Sequence, residues 1–211
     1  MSLKNRLLTY LKSLERSLGS DEESAEALDF LKNKVSSLKE EPKQLPLFEE
    51  IPDLKSKTAF ALFSDGACRG NPGPGSWACM GQDYKGQTIF SEADFENPTT
   101  NNKMELMAAT KALELLQAYL YEKDIEASKI ILFTDSKYVI DGITSWVTNW
   151  KARGWKKADK KSPENLEYWQ RLDEIHQELK PEYRWVKGHS GHPQNEHCDA
   201  LANEILDNEG F

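Results

Sequence analysis

Four carboxylates stand where a carboxylate is costly. Asp65 follows the apolar run Thr58–Ser64 (TAFALFS) and precedes Gly-Ala-Cys-Arg-Gly-Asn-Pro-Gly. Asp135 follows KIILFT, residues Lys129–Thr134, in the same way. Glu105 lies in TNNKMELMAA with apolar neighbours on both sides, and Asp199 lies beside Cys198 and Leu201. An ionised carboxylate at the end of a buried strand or on an apolar helix face loses hydration, and several close together repel one another. Bound cations remove both costs. Donors that are oxygen only, with no thiolate or histidine cluster, suit Mg²⁺ or Mn²⁺ rather than Zn²⁺. Taken singly, each acid reads more readily as a helix cap or a salt-bridged surface group than as a metal ligand.

The elements that carry these acids are readable from the pattern. Residues 58–64, Gly75–Gly81 and Gly86–Phe95 predict three strands with Gly-rich turns, an antiparallel meander. Asn101–Leu120 predicts a helix whose apolar face holds Met104, Leu106, Met107, Leu113 and Leu116. Lys129–Thr134 predicts a buried strand, followed by a helix from Ser136. Pro163–Leu179 predicts a helix, Tyr183–Lys187 a strand and Pro193–Leu206 a last helix. Strands first, then alternating helix and strand, imply an α/β mixed sheet with helices packed on it.

Residues 1–40 have a different texture. Leu3, Leu7, Leu11, Leu14 and Leu18 follow helical spacing, as do Leu28, Leu31, Val35 and Leu38. Gly19 can end the first helix, and Ser20 with Glu23 can cap the second, so a helical hairpin is expected. Residues 41–57 contain three prolines and alternate charged with apolar residues, which reads as a linker. The division expected is a hairpin over 1–40, a linker over 41–57 and one larger domain over 58–211.

Composition narrows the class. With 211 residues, 38% hydrophobic and 10% aromatic, the chain can build a core and is not a disordered segment. No apolar run approaches the roughly 18 residues of a membrane span. Three cysteines without CxxC spacing argue against a disulfide framework and point to a reducing, cytoplasmic setting. The net charge is −8, yet Lys151–Lys161 carries six basic residues against Asp159 alone. An acidic body with one concentrated basic stretch is a polarised molecule.

Four blocks then occur in order: SDGACRGNPGPGSW, TTNNKMELMAATKALELL, FTDSKYVIDGITSWVTNWKARGWKKADKK and WVKGHSGHPQNEHCDALA. Together they resemble bacterial ribonuclease H type 1, over roughly residues 58–206. Several long blocks in fixed order are far more specific than one short motif. The resemblance implies a five-stranded mixed sheet, its first three strands antiparallel, flanked by helices. It implies cleavage of the RNA strand of an RNA–DNA hybrid, leaving 5′-phosphate and 3′-hydroxyl ends. Asp65, Glu105, Asp135 and Asp199 become the metal-binding carboxylates, holding two Mg²⁺ ions with Mn²⁺ as a substitute. His189 becomes the catalytic histidine that moves a proton or helps product leave, with His192 and Asn195 in support.

The same resemblance implies how the hybrid is held. The Cys68–Gly70 backbone, Asn71, Asn101 and Glu105 would read the minor groove, where the 2′-hydroxyl marks RNA. Asn102 would face the DNA strand, and Thr100 with Arg153 would hold a DNA phosphate. Trp146, Trp150, Lys151, Trp155, Lys156 and Lys157 would form a basic handle that reads the backbone. Lys137 departs from the family pattern, which has Gln there. A resolvase or integrase of similar fold would share the acids but lack the Trp/Lys handle and the TTNN block. A silent hybrid binder would be expected to have lost an acid, and all four are present.

One motif lies outside the family pattern. Gln44-Leu45-Pro46-Leu47-Phe48 resembles the pentapeptide by which bacterial proteins dock on the replication sliding clamp, with Gln44, Leu45, Leu47 and Phe48 as the contacts. The alternative is that Leu47 and Phe48 pack back on the chain's own surface.

Overall fold

The computed structural model describes residues 11, 22–37 and 46–211. They fall into two compact units, divided between residues 44 and 45. In the first unit, Leu11 is helical and helix α1 spans Glu22–Ser37. Leu28 is buried on α1, whereas Leu31 of the same expected pattern is 46% exposed. The rest of the first expected helix, including Leu3, Leu7, Leu14 and Leu18, lies outside the described residues, as do Gln44 and Leu45.

The second unit is built on strands β1 (Ala59–Cys68), β2 (Gly73–Asp83), β3 (Thr88–Thr99), β4 (Lys129–Thr134) and β5 (Glu182–Trp185). Their order is β3-β2-β1-β4-β5. The pairs β1–β2 and β2–β3 are antiparallel, and β1–β4 and β4–β5 are parallel. This is the mixed sheet expected from the sequence, with each of the first three strands longer than its apolar run. The ladder accounts for that extension: Asp65–Cys68 continue to pair with Gly75–Ala78 past the last apolar residue.

Helices close both faces. Helix α2 spans Asn101–Lys123 and α5 spans Leu166–Leu179. They cover the face that presents Phe60, Leu62, Cys79, Ile130 and Leu132. Between them, α3 (Lys137–Asp141), a π turn (Gly142–Trp146) and α4 (Val147–Lys151) form one continuous rod. The extra residue of the π turn swings its second half over Trp169, which is fully buried. Only glycine fits at 142, because a Cβ there would collide with the Trp169 ring.

The opposite face, with Ala61, Phe63, Ala78, Met80 and Ile131, receives α6 (Pro193–Asn208) through Cys198 and Ala202. One helix is too narrow to close a five-stranded face. Residues 46–57, expected as linker, complete this layer. Phe48, Ile51 and Leu54 turn inward at intervals of three, and Leu54 is only 4% exposed. The Phe48 amide donates to Gly86 O (3.0 Å), and Gln82 Nε2 donates to Glu49 O (3.0 Å). Asp53 pairs with Arg184. The compact unit therefore takes in residues 46–57 as well as 58–211.

Candidate active site

Strand register assembles the acids. Parallel β1 and β4 pair Ser64 with Thr134, so the next residue of each chain, Asp65 and Asp135, emerges side by side. Helix α2 brings Glu105 across β1 at Gly66, where a Cβ would collide with the Glu105 amide nitrogen. That crossing is why a glycine follows the aspartate. One carboxylate oxygen from each of Asp65, Glu105 and Asp135 lies within 4.8 Å of the others. Asp199, on α6, stands outside this tight trio, with a third of its side chain exposed.

The trio is strained electrostatically. Burial, then the charges of Asp135 and Asp199, push Asp65 up to about 8. The Gly66 N–H, donating at 2.8 Å, pulls weakly the other way. Burial and the charges of Asp65 and Asp135 raise Glu105 well above the ordinary carboxylate range. Burial raises Asp135 as well. Glu105 Oε2 is buried with no partner within hydrogen-bonding distance among the described residues, and Oε1 accepts from Asn101 Nδ2 at 3.5 Å. Three crowded, oxygen-only ligands with one lone pair set left unsatisfied fit a hard divalent cation.

His189 sits on the loop above. Its Nδ1 lies 3.7 Å from Asp199 Oδ2, its side chain is 81% exposed, and its φ is +49°. The loop comes so near that a Cβ on Gly188 would collide with Asp135 Oδ2. Asn195, buried on α6, helps hold the Asp135 carboxylate, while His192 stands at the N-cap position of that helix without a side-chain capping bond. His192 also lies against the Phe63 and Phe133 rings at 5.6 and 5.9 Å. Sequence reasoning missed Trp185, whose indole N–H donates to the Asp135 backbone O at 3.0 Å. Lys137 lies over that indole, 4.5 Å from the ring centroid. A lone aromatic at a strand end carries no local signal of such a role.

The groove-side residues are brought together beside Glu105. The Cys68–Gly73 turn is closed by the Cys68 thiol donating to Gly70 O at 2.7 Å. The Asn101 amide donates to Asn71 Oδ1 at 3.4 Å, joining the turn to the start of α2. Thr100, rather than Asn101 or Asn102, N-caps α2, its hydroxyl accepting from the Lys103 amide at 3.4 Å. Arg69, in the same turn, is held by Asp207 and the Phe211 carbonyl.

The basic stretch is carried on the π-turned rod. Trp146, Trp150 and Trp169 meet pairwise with ring centroids 5.7 to 6.4 Å apart, and Tyr138 stacks near Trp146 and Trp169. Trp150 and Trp155 pack on the core from its edge, whereas Trp146 is 36% exposed. Gly154 and Trp155 both take positive φ, reversing the chain after α4. Lys156 is exposed and Lys157 pairs with Glu164 at 3.1 Å. Arg153 is exposed, and Lys151 is bound to Asp173.

A mixed five-stranded sheet whose parallel strands β1 and β4 lead into crowded carboxylates is the arrangement of a divalent-metal centre. The family model described as RNase H matches residues 57–207. A curated Ribonuclease H of Alcanivorax borkumensis is 51% identical over 147 residues, covering 69% of this chain and 90% of that one. One of Escherichia coli is 47% identical over 155 residues, covering 71% and 94%. Among solved structures, LC9-RNase H1, a type 1 RNase H with the type 2 active-site motif, aligns with a TM-score of 0.62 at 31% identity, covering 71% of this chain and 72% of that one. LC11-RNase H1 in complex with an RNA/DNA hybrid aligns at 0.55 and 24%, covering 71% and 98%, and so bears on the fold alone. The chain belongs to the ribonuclease H family, and it is a bacterial type 1 member.

Proposed function

We propose that this enzyme hydrolyses the RNA strand of RNA–DNA hybrids, using two Mg²⁺ ions and leaving 5′-phosphate and 3′-hydroxyl ends. The observation that carries the reading is the trio of buried Asp65 and Glu105 with half-buried Asp135, their ligand atoms within 4.8 Å. In this reading Asp199 supplies the fourth carboxylate from α6. When bound, paired Mg²⁺ supplies Lewis-acid activation of the phosphodiester and neutralises charge on the leaving oxygen. The chain's own residues do the rest. Asp65 and Asp135 would hold the cations at the C-terminal end of the parallel strands, where the reacting phosphate is to be placed. His189, exposed and close to Asp199, is placed to move a proton at the sugar–phosphate edge. Asn71 and Asn101, joined beside Glu105, meet the 2′-hydroxyl. Arg153 and Lys156 meet the DNA backbone.

The test offers labelled hybrid, RNA duplex and DNA duplex, each with and without Mg²⁺. Mg²⁺-dependent cutting of RNA in the hybrid alone is the expected result. Equal cutting of DNA duplex overturns the reading in favour of a resolvase-like activity. The same reading places the protein in the bacterial cytoplasm, consistent with three free thiols and with no described helix long and apolar enough to cross a membrane.

A sliding clamp is the proposed partner of residues 44–48, favoured by one observation: Leu47 is 75% exposed. Phe48, however, is bonded to Gly86 and lies edge-on to His197 at 5.5 Å. Clamp docking thus requires this segment to peel from the β2–β3 hairpin. Titration of the cognate clamp with wild-type and Leu47→Ala/Phe48→Ala protein decides it; equal binding, or none, removes the clamp from the account.

A further inference from the structure

The lysine that opens the basic stretch is engaged differently from its neighbours. Lys151 ends α4, and its ammonium lies 2.6 Å from Asp173 Oδ2 on α5. Asp173 is 7% exposed, and its other oxygen accepts only a long bond from Gln177 at 3.4 Å. Were the ammonium to leave for a phosphate, Asp173 would remain a buried, nearly unpaired anion, which is strongly unfavourable. Beside this pair, the Trp150 and Trp169 rings meet at 5.7 Å. Beyond it, the chain reverses through two residues of positive φ, Gly154 and Trp155. The residues after α4 fold back on its last turn, with the Arg153 and Trp155 amides donating to Trp150 O at 3.0 and 2.7 Å and the Gly154 amide to Lys151 O at 3.1 Å, and Trp155 packs on the edge of the core. Lys156, by contrast, is exposed and makes no ion pair among the described residues.

We propose that Lys151 is a positioning residue: its pairing with Asp173 pins the end of α4 to α5 and so fixes the direction in which Arg153 and Lys156 are presented to nucleic acid. Lys151 does not itself neutralise a phosphate. The inference rests on the reading that this stretch binds the hybrid. It assigns to Asp173 a role that no motif in the sequence suggests, because the acid lies 22 residues downstream on another helix.

Phosphate contacts and struts differ in salt dependence. Each phosphate contact contributes about 0.7–0.9 to the slope of log affinity against log salt, whereas a strut contributes nothing to the slope. Hybrid affinity is measured across a salt series, without divalent metal, for wild type, Lys156→Ala, Lys151→Ala, Asp173→Asn and the swap Lys151→Asp/Asp173→Lys. Lys156→Ala should flatten the slope by about one unit. Lys151→Ala and Asp173→Asn should each keep the slope and lose roughly five- to tenfold in affinity at every salt concentration. The swap should recover most of that loss. Near-UV circular dichroism of the tryptophan cluster should change in both single variants and return in the swap. That signal needs no substrate, so it reads the strut even if the wild type were to ignore hybrid, which would defeat only the proposed substrate. A Lys151→Ala slope flattened by one unit, with Asp173→Asn unaffected, makes Lys151 a phosphate contact and overturns the proposal. A swap that binds no better than the single variants, with a disturbed tryptophan signal, also overturns it.

Discussion

Asp65→Asn removes one charge from a trio whose members repel. On the order of 10²–10³-fold loss of Mg²⁺-dependent cleavage is expected, measured on labelled hybrid. The stability effect has the opposite sign. Folding raises Asp65 from 3.8 to about 8, so between those values the native state holds a proton that the unfolded chain has released. Stability without metal is therefore greatest on the acid side and falls as pH rises through that window. Glu105 and Asp135 shift in the same direction and add to the slope. Thermal melts in chelator from pH 4 to 8 should fall steeply for wild type and less steeply for Asp65→Asn. Mg²⁺ should restore the wild-type melting temperature most at the alkaline end, since the ligands must be deprotonated to bind. Parallel slopes for the two proteins would contradict this account. Asp65, Glu105 and Asp135, which the structure groups, stood out in the sequence because each interrupts an apolar pattern, though their joint role came from the resemblance. That Asp199 stands apart from the trio was not legible, since its position depends on how α6 docks.

Among the elements, Leu54 makes the clearest case. It is 4% exposed in the layer beside α6, so Leu54→Ala should destabilise the protein by about 2–4 kcal/mol in urea unfolding. A chain starting at residue 58 should melt well below one starting at residue 46; equal melting would mean that residues 46–57 contribute nothing. Gly66→Ala should be worse than its size suggests, because the new methyl meets the Glu105 backbone rather than a flexible side chain. Strands β1 and β4 were readable as short apolar runs, because both of their faces are covered, and helices α2, α5 and α6 were readable from helical spacing. Residues 46–57 were not, because three inward apolar residues among charges and prolines make no period of 2 or 3.6. Their burial comes from a sheet face assembled later in the chain. The π turn was equally hidden: its residues continue a helical pattern, and only the buried Trp169 ring reveals why the turn widens.

At the scale of the molecule, charge is divided. The whole chain carries −8, while Lys151–Lys161 is basic. Replacing Lys156 and Lys157 with Ala should flatten the salt dependence of hybrid affinity by about one to two units. Lys157 shares its charge with Glu164, so Lys156 should account for the larger part. An unchanged slope would mean that the basic stretch does not touch the backbone. The wide spacing of the acids has a further consequence, during synthesis. Asp65 lies at the centre of the sheet, yet its partner Asp135 arrives on β4, and α6 with Asp199 is made 134 positions after Asp65. At roughly 5–20 residues per second, that interval lasts roughly 7–27 s on the ribosome. Until β4 is made, the three-stranded meander has an unpaired β1 edge, and until α6 is made the set of acids is incomplete. On the four-carboxylate reading proposed above, the site is complete only once α6 has left the ribosome, so cleavage cannot precede it.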